Sequence, residues 1–267
     1  MTMPDTDADF LETFLAPIRK CVGYRPAFGQ GTATGLDLGG FQELYGGDPF
    51  YHWLGLDEPI VYAAHKAAGG LTSVYRQIGV GSERLFRAVL GHSLGLSQDA
   101  MAWRYEYDKP DGAQGRHTLD ARIRSADLQR DVRRRFDDWL RTALNAVAVG
   151  AQQSINADGV VFEVRQGYKS ADSKRQNADL RYGVRAYQAN LLPSFAILSS
   201  QVSESVMRRY RNDGMLILTG VLDEDPLRST FAFFQKVIGY DLRAFFERSS
   251  PTIKAGINQV VVKLLSP

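Results

Sequence analysis

The chain has 267 residues, a formal net charge of +2, 44% hydrophobic residues and 23% charged ones. These values suit a globular protein with a sizeable core and exclude a histone-like wrapper of nucleic acid, although a local basic cluster needs no large overall charge. The single cysteine, Cys21, excludes an internal disulfide and a cysteine-rich metal site, and His52, His65, His92 and His117 show no zinc spacing. No apolar run reaches membrane-spanning length and the opening MTMPDTDADF is acidic rather than signal-like, so the expected location is the cytoplasm.

In chain order, Phe10, Leu11, Phe14, Leu15 and Ile18 have the spacing of an amphipathic helix over 9–21. Residues 22–58 are rich in glycine and aromatics and predict irregular structure; their glycines match neither GxxxxGK[ST] nor GxGxxG. A helix over 58–66 is expected to break at Gly69-Gly70. A further helix is expected to be capped by Ser82, with Leu85, Phe86, Val89 and Leu90 facing inward and Glu83 in its first turn, where the helix dipole favours an acid. AWRYEYD (102–108), KPDGAQG (109–115) and RHTLDARI (116–123) read as a β-hairpin. Pro110-Asp111 falls in its turn, where aspartate is ordinary. Asp120 falls on its second strand, where a carboxylate is disfavoured and needs a reason.

A long helix is predicted over 127–153, apolar along Leu128, Val132, Phe136, Leu140, Leu144 and Val147. Its other side carries Arg130, Arg133, Arg134, Arg135 and Arg141 among acids, the pattern of a solvated face with a secondary prospect of contact with DNA backbone or a second subunit. Further on, a helix over 178–191, a buried strand at 194–199, a basic helix at 203–211 and a buried strand at 215–221 alternate. That alternation implies parallel strands with helices over the faces. The Phe pairs of 224–247 read as packing, and 253–265 as a closing helix. One domain is the simplest count, with a helical and irregular N-terminal region over about 1–72.

The stretch NADGVVFEVRQGYKSADSKRQNAD, residues 156–179, carries the chemistry. Asn156 to Gly159 signal a turn, and 160–168 a strand with Val160, Phe162 and Val164 on one face and Glu163, Arg165 and Gly167 on the other. The polar run behind it holds Lys169, Ser170, Asp172, Ser173, Lys174, Arg175, Gln176 and Asn177. Arg or Lys can pair with guanine, Asn or Gln with adenine, and Asp with cytosine, so the run is suited to reading base edges in a duplex. Two acids on adjacent strands, Asp120 and Glu163, repel unless a cation sits between them.

On EVRQGYKSADSKRQNAD, and on LPSFAILSSQVSESVMRRYRNDGMLILTG (192–220) as the elements that would complete the core, the chain resembles type II restriction endonucleases of the PD-(D/E)xK nuclease superfamily. The resemblance covers roughly residues 73–247. It implies an α/β (α+β) restriction-endonuclease-like fold, a mixed β-sheet flanked by helices. It further implies Mg²⁺-dependent hydrolysis of double-stranded DNA at a short, palindromic sequence by a homodimer. Asp120 and Glu163 would bind the metal, and Glu83 would add a third carboxylate, as a first-helix glutamate does in some members. The residue two beyond the acid is Arg165, where the family has lysine, and arginine is a poor general base. Lys169 is the rival, but about 20 Å of regular strand would separate it from Glu163. A bulge at Gln166-Gly167 would bring them together; otherwise Lys169 would work with Asp179. Which of Arg165 and Lys169 takes the lysine's role stays open.

Overall fold

A computed structural model describes residues 5–28, 34–108, 112–151, 156–167 and 173–267. The chain divides into two compact units, residues 1–81 with 247–267 and residues 82–246.

The first unit is helical. Helix α1 (Asp5–Arg19) buries Phe10, Phe14, Leu15 and Ile18, as its periodicity predicts. The region expected to be irregular instead folds into α2 (Leu38–Gly46) and α3 (Pro49–Trp53), each capped by an aspartate: Gly40 N donates to Asp37, and Phe50 N donates to Asp48. The break expected at Gly69-Gly70 is absent, because α4 runs unbroken from Pro59 to Leu94. A Cβ on Gly69 would fall 2.0 Å from the Tyr24 hydroxyl, and one on Gly70 2.5 Å from Leu264. These glycines serve close packing, so the helix-breaker reading is corrected.

The second unit is mixed α/β and holds the candidate site. After α5 (Gln98–Met101), strands β1 (Trp103–Asp108) and β2 (Gln114–Leu119) form the predicted hairpin, with Trp103 opposite Leu119 and Tyr105 opposite His117. The chain bends at Asp120 and continues as β3 (Ala121–Arg124). This strand leaves the hairpin and joins a four-stranded sheet of order β3-β4-β5-β6. Strand β3 runs antiparallel to β4 (Gly159–Arg165), while β4, β5 (Leu191–Ile197) and β6 (Leu216–Leu218) are parallel, as the alternation of strands and helices implied. Between them lie α6 (Arg130–Ala151), α7 (Ser173–Gln188) and α8 (Glu204–Asn212). A short α9 (Thr230–Phe233) and the long α10 (Leu242–Leu265) follow.

Both faces of the sheet are covered. On one, Phe162 meets Phe86 at 5.3 Å and Phe233 at 5.4 Å between ring centroids. On the other, Val161, Phe195, Tyr182, Tyr210 and Met215 form a continuous apolar cluster. Pro193 stands inside β5 opposite Val161 and has no N–H to offer the ladder. The Tyr182 hydroxyl enters here from α7, accepting from Ser194 N at 2.6 Å and lying 3.0 Å from the Val161 carbonyl. It thus supplies a hydroxyl bridge between the two strands.

The arginines of α6 are partly structural. Arg133 donates to the Ala126 and Leu128 carbonyls, and Arg135 donates to those of Val237 and Ile238. Among the described residues, no helix is long and apolar enough to cross a membrane.

Candidate functional site

The bend at Asp120 explains a carboxylate in mid-strand. Asp120 N donates to Phe162 O at 3.1 Å, continuing the β3–β4 ladder, and then the strand turns away toward the hairpin. The next ladder donor on β4, Val164 N, is served by a side chain instead: it donates to Asp120 Oδ2 at 2.7 Å. The two bonds flank Glu163, so the Asp120 carboxylate is fixed beside that residue's position on β4. Burial, followed by the charge of Glu163, pushes the Asp120 carboxyl up to about 7, against the pull of the Val164 N–H.

Glu163 is the one partly exposed residue of β4, two positions before its end. Its Oε2 stands 3.7 Å from His117 Nε2 and its Oε1 3.4 Å from Arg165 Nη2. Burial works to raise its pKa, but the His117 and Arg165 contacts outweigh that and hold it below the usual carboxylate value. Glu83 joins the same electrostatic group: burial, then the charge of Glu163, raises its carboxyl, and it also acts on Asp120. The expectation that Ser82 caps a helix and Glu83 opens it is corrected. Both lie well inside α4, so dipole stabilisation at a helix start does not account for Glu83.

Arg165 occupies a different environment. It was expected on a face lined for chemistry, but it is 5% exposed and bound through two nitrogens to Asp179, Nη2 to Oδ1 at 2.7 Å and Nη1 to Oδ2 at 3.1 Å. Its guanidinium carbon lies 4.9 Å from the centroid of the Phe195 ring, which stacks on Tyr210, and the Tyr210 hydroxyl donates to Asp179. Arg165 and Asp179 neutralise each other here. Lys169, Ser170 and Asp172 lie outside the described residues, as do the side chains of Ser173, Lys174 and Arg175. The helix expected to begin at 178 begins at Ser173, so Gln176 and Asn177 sit in its first turns rather than in a loop. Gln176 is buried, and both accept from Arg209, Gln176 Oε1 at 2.8 Å and Asn177 Oδ1 at 2.9 Å.

His117 is the residue that sequence reasoning passed over. Its signal was alternation along β2, which places it on the same side of the hairpin as the partly buried Tyr105, while Arg116 and Thr118 face out. The Tyr105 ring meets it edge-on at 5.5 Å. The nearby Glu163 carboxylate is the chief cause that raises its pKa, against burial.

The carboxylates available to a cation are thus Asp120, Glu163 and Glu83. Among the described residues, no three acidic, histidine or cysteine side chains stand close enough to hold a metal as they are. No family model, curated protein or solved structure matches this chain.

Proposed function

We propose that the chain is a Mg²⁺-dependent endonuclease that cuts double-stranded DNA at a short specific sequence as a homodimer. One observation carries the reading: Asp120 is anchored beside Glu163 by the Val164 N–H, and burial with the Glu163 charge pushes its carboxyl up to about 7 despite the pull of Arg87. Like charges held together in this way favour a divalent cation between them. Magnesium takes one or two carboxylates and keeps several waters, so Asp120 and Glu163 fit it without a third protein ligand. Asp120 Oδ1 and Glu163 would hold the ion, and Glu83 adds negative charge. When bound, the ion supplies an activated water and neutralises charge on the scissile phosphate. Val164 N–H fixes Asp120, and Arg165 fixes α7 to β4 through Asp179 rather than acting as a base. The resemblance of EVRQGYKSADSKRQNAD supports DNA as substrate.

A second reading, a structure-specific or repair nuclease of the same chemistry, is favoured by one finding. Arg209 engages the acceptor oxygens of Gln176 and Asn177, two of the expected base-reading residues. Incubating a long genomic duplex with the protein and Mg²⁺ separates these readings. Discrete fragments support the first and a smear the second. Intact DNA with Mg²⁺ and Mn²⁺ alike overturns both and leaves a non-catalytic DNA-binding protein.

A further inference from the structure

Resting on the nuclease reading, the geometry points to His117 as the nitrogen donor that meets the scissile phosphate, in the place where the resemblance led us to expect Arg165 or Lys169. A phosphodiester held at the Asp120–Glu163 pair needs a donor for the non-bridging oxygen the metal does not take, because negative charge builds there as water adds. That donor must stand at the carboxylates, reach solvent and have a proton to give.

Arg165 fails the second condition. It is 5% exposed, both terminal nitrogens are engaged by Asp179, and Phe195 lies against its plane. His117 meets all three. Nε2 stands 3.7 Å from Glu163 Oε2, too long for a settled hydrogen bond and close enough for both atoms to contact one bound group. The side chain is 44% exposed, whereas that of Glu163 is 18% exposed, so the imidazole lies on the solvent side of the acid. The β1–β2 hairpin carries it, with Tyr105 against the ring. The neutral Nε2–H tautomer already carries a proton on the nitrogen that faces Glu163, so the contact does not require the charged form.

The test is single-turnover cleavage of a long genomic duplex by the full chain with Mg²⁺, paired with affinity for that duplex in Ca²⁺. His117→Ala is expected to slow cleavage about a hundredfold, the cost of one transition-state donor, while affinity in Ca²⁺ falls by less than about tenfold. His117→Gln, which restores an N–H donor, is expected to recover about tenfold of that loss. A purely structural role for His117 would not produce that rescue. Cleavage by His117→Ala within about threefold of wild type overturns the inference and leaves the nuclease reading standing. So does a Gln variant as slow as the Ala variant while both keep the wild-type circular dichroism spectrum. A wild-type protein that cuts nothing overturns the nuclease reading, and this inference with it.

Discussion

Asp120 and Asp179 are both aspartates held against the same strand, and their surroundings are opposite. Asp179 receives a two-pronged arginine and a tyrosine hydroxyl, so its charge is matched and its oxygens are occupied. Asp120 receives one backbone N–H, and burial with the charges of Glu163 and Glu83 outweighs that bond and the pull of Arg87. A matched carboxylate fixes the fold. An unmatched one costs stability, and folds tolerate that cost where chemistry is done. The difference lies in what approaches each carboxylate, since the residue type is the same.

The comparison breaks most directly at the acids. Asp120→Asn and Glu163→Gln are each expected to lower the single-turnover cleavage rate by about a thousandfold or more, equivalent to about 4 kcal/mol of barrier. Folding should survive, because Asp120→Asn removes a charge that burial and Glu163 disfavour and Glu163→Gln keeps the side chain's size and an acceptor for Arg165. A variant that cuts near the wild-type rate in saturating Mg²⁺ is not missing a ligand.

On the other side of the comparison, Arg165→Ala strands Asp179 as a buried charge and is expected to cost about 3–5 kcal/mol in urea unfolding. Arg165→Lys restores the family's usual residue type, yet a single ammonium cannot make the two-pronged contact. It is therefore expected to be destabilising as well. Wild-type stability in Arg165→Lys would show that the Asp179 pair carries no load.

Acidity sharpens the contrast. The Asp120 carboxyl titrates near 7 in the folded chain and near its ordinary value of 3.8 when unfolded. Its raised pKa therefore favours folding fully below about pH 4, and the benefit is lost as pH rises through 7. In metal-free buffer at pH 8, Asp120→Asn should exceed the wild type by on the order of 4 kcal/mol, and by almost nothing near pH 4. Parallel stability–pH curves for the two proteins would remove Asp120 from the account.

The smallest effect concerns Arg209. Its removal deprives Gln176 and Asn177 of their shared donor, and Arg209→Ala is expected to cost about 1 kcal/mol by thermal unfolding. If these two residues read bases, the freed variant should gain discrimination between DNA sequences. No change in discrimination would confine them to holding α7.

Much of this was legible in the sequence where pattern was local. The hairpin, α6, β4 and the alternation of parallel strands with helices follow from periodicities of two and of three to four. That Asp120 lies beside Glu163 on adjoining strands was legible too, because a carboxylate in mid-strand is disfavoured and needs a reason. Long-range packing was not legible. Gly69 and Gly70 read as breakers until Tyr24 and Leu264 occupy the space a side chain would need. Arg165 read as a site residue because Asp179, fourteen positions away, gives no sign in the sequence of turning back onto it. His117 was missed because no spacing relates a histidine on one strand to a glutamate on another.

Helix α7 is pinned to the sheet at two heights, by Asp179 to Arg165 and by the Tyr182 hydroxyl to Ser194 and Val161. Two pins three residues apart forbid both sliding and rolling, so the helix is indexed to the sheet as a gear is keyed to its shaft. From Asp179 back to Ser173 is six residues, about 9 Å of helix at 1.5 Å per residue. The polar turn at its start is therefore carried on a short arm of set length and heading, metered from the strand that bears Glu163. A substitution at either pin would misaim that arm without touching a single residue at its tip.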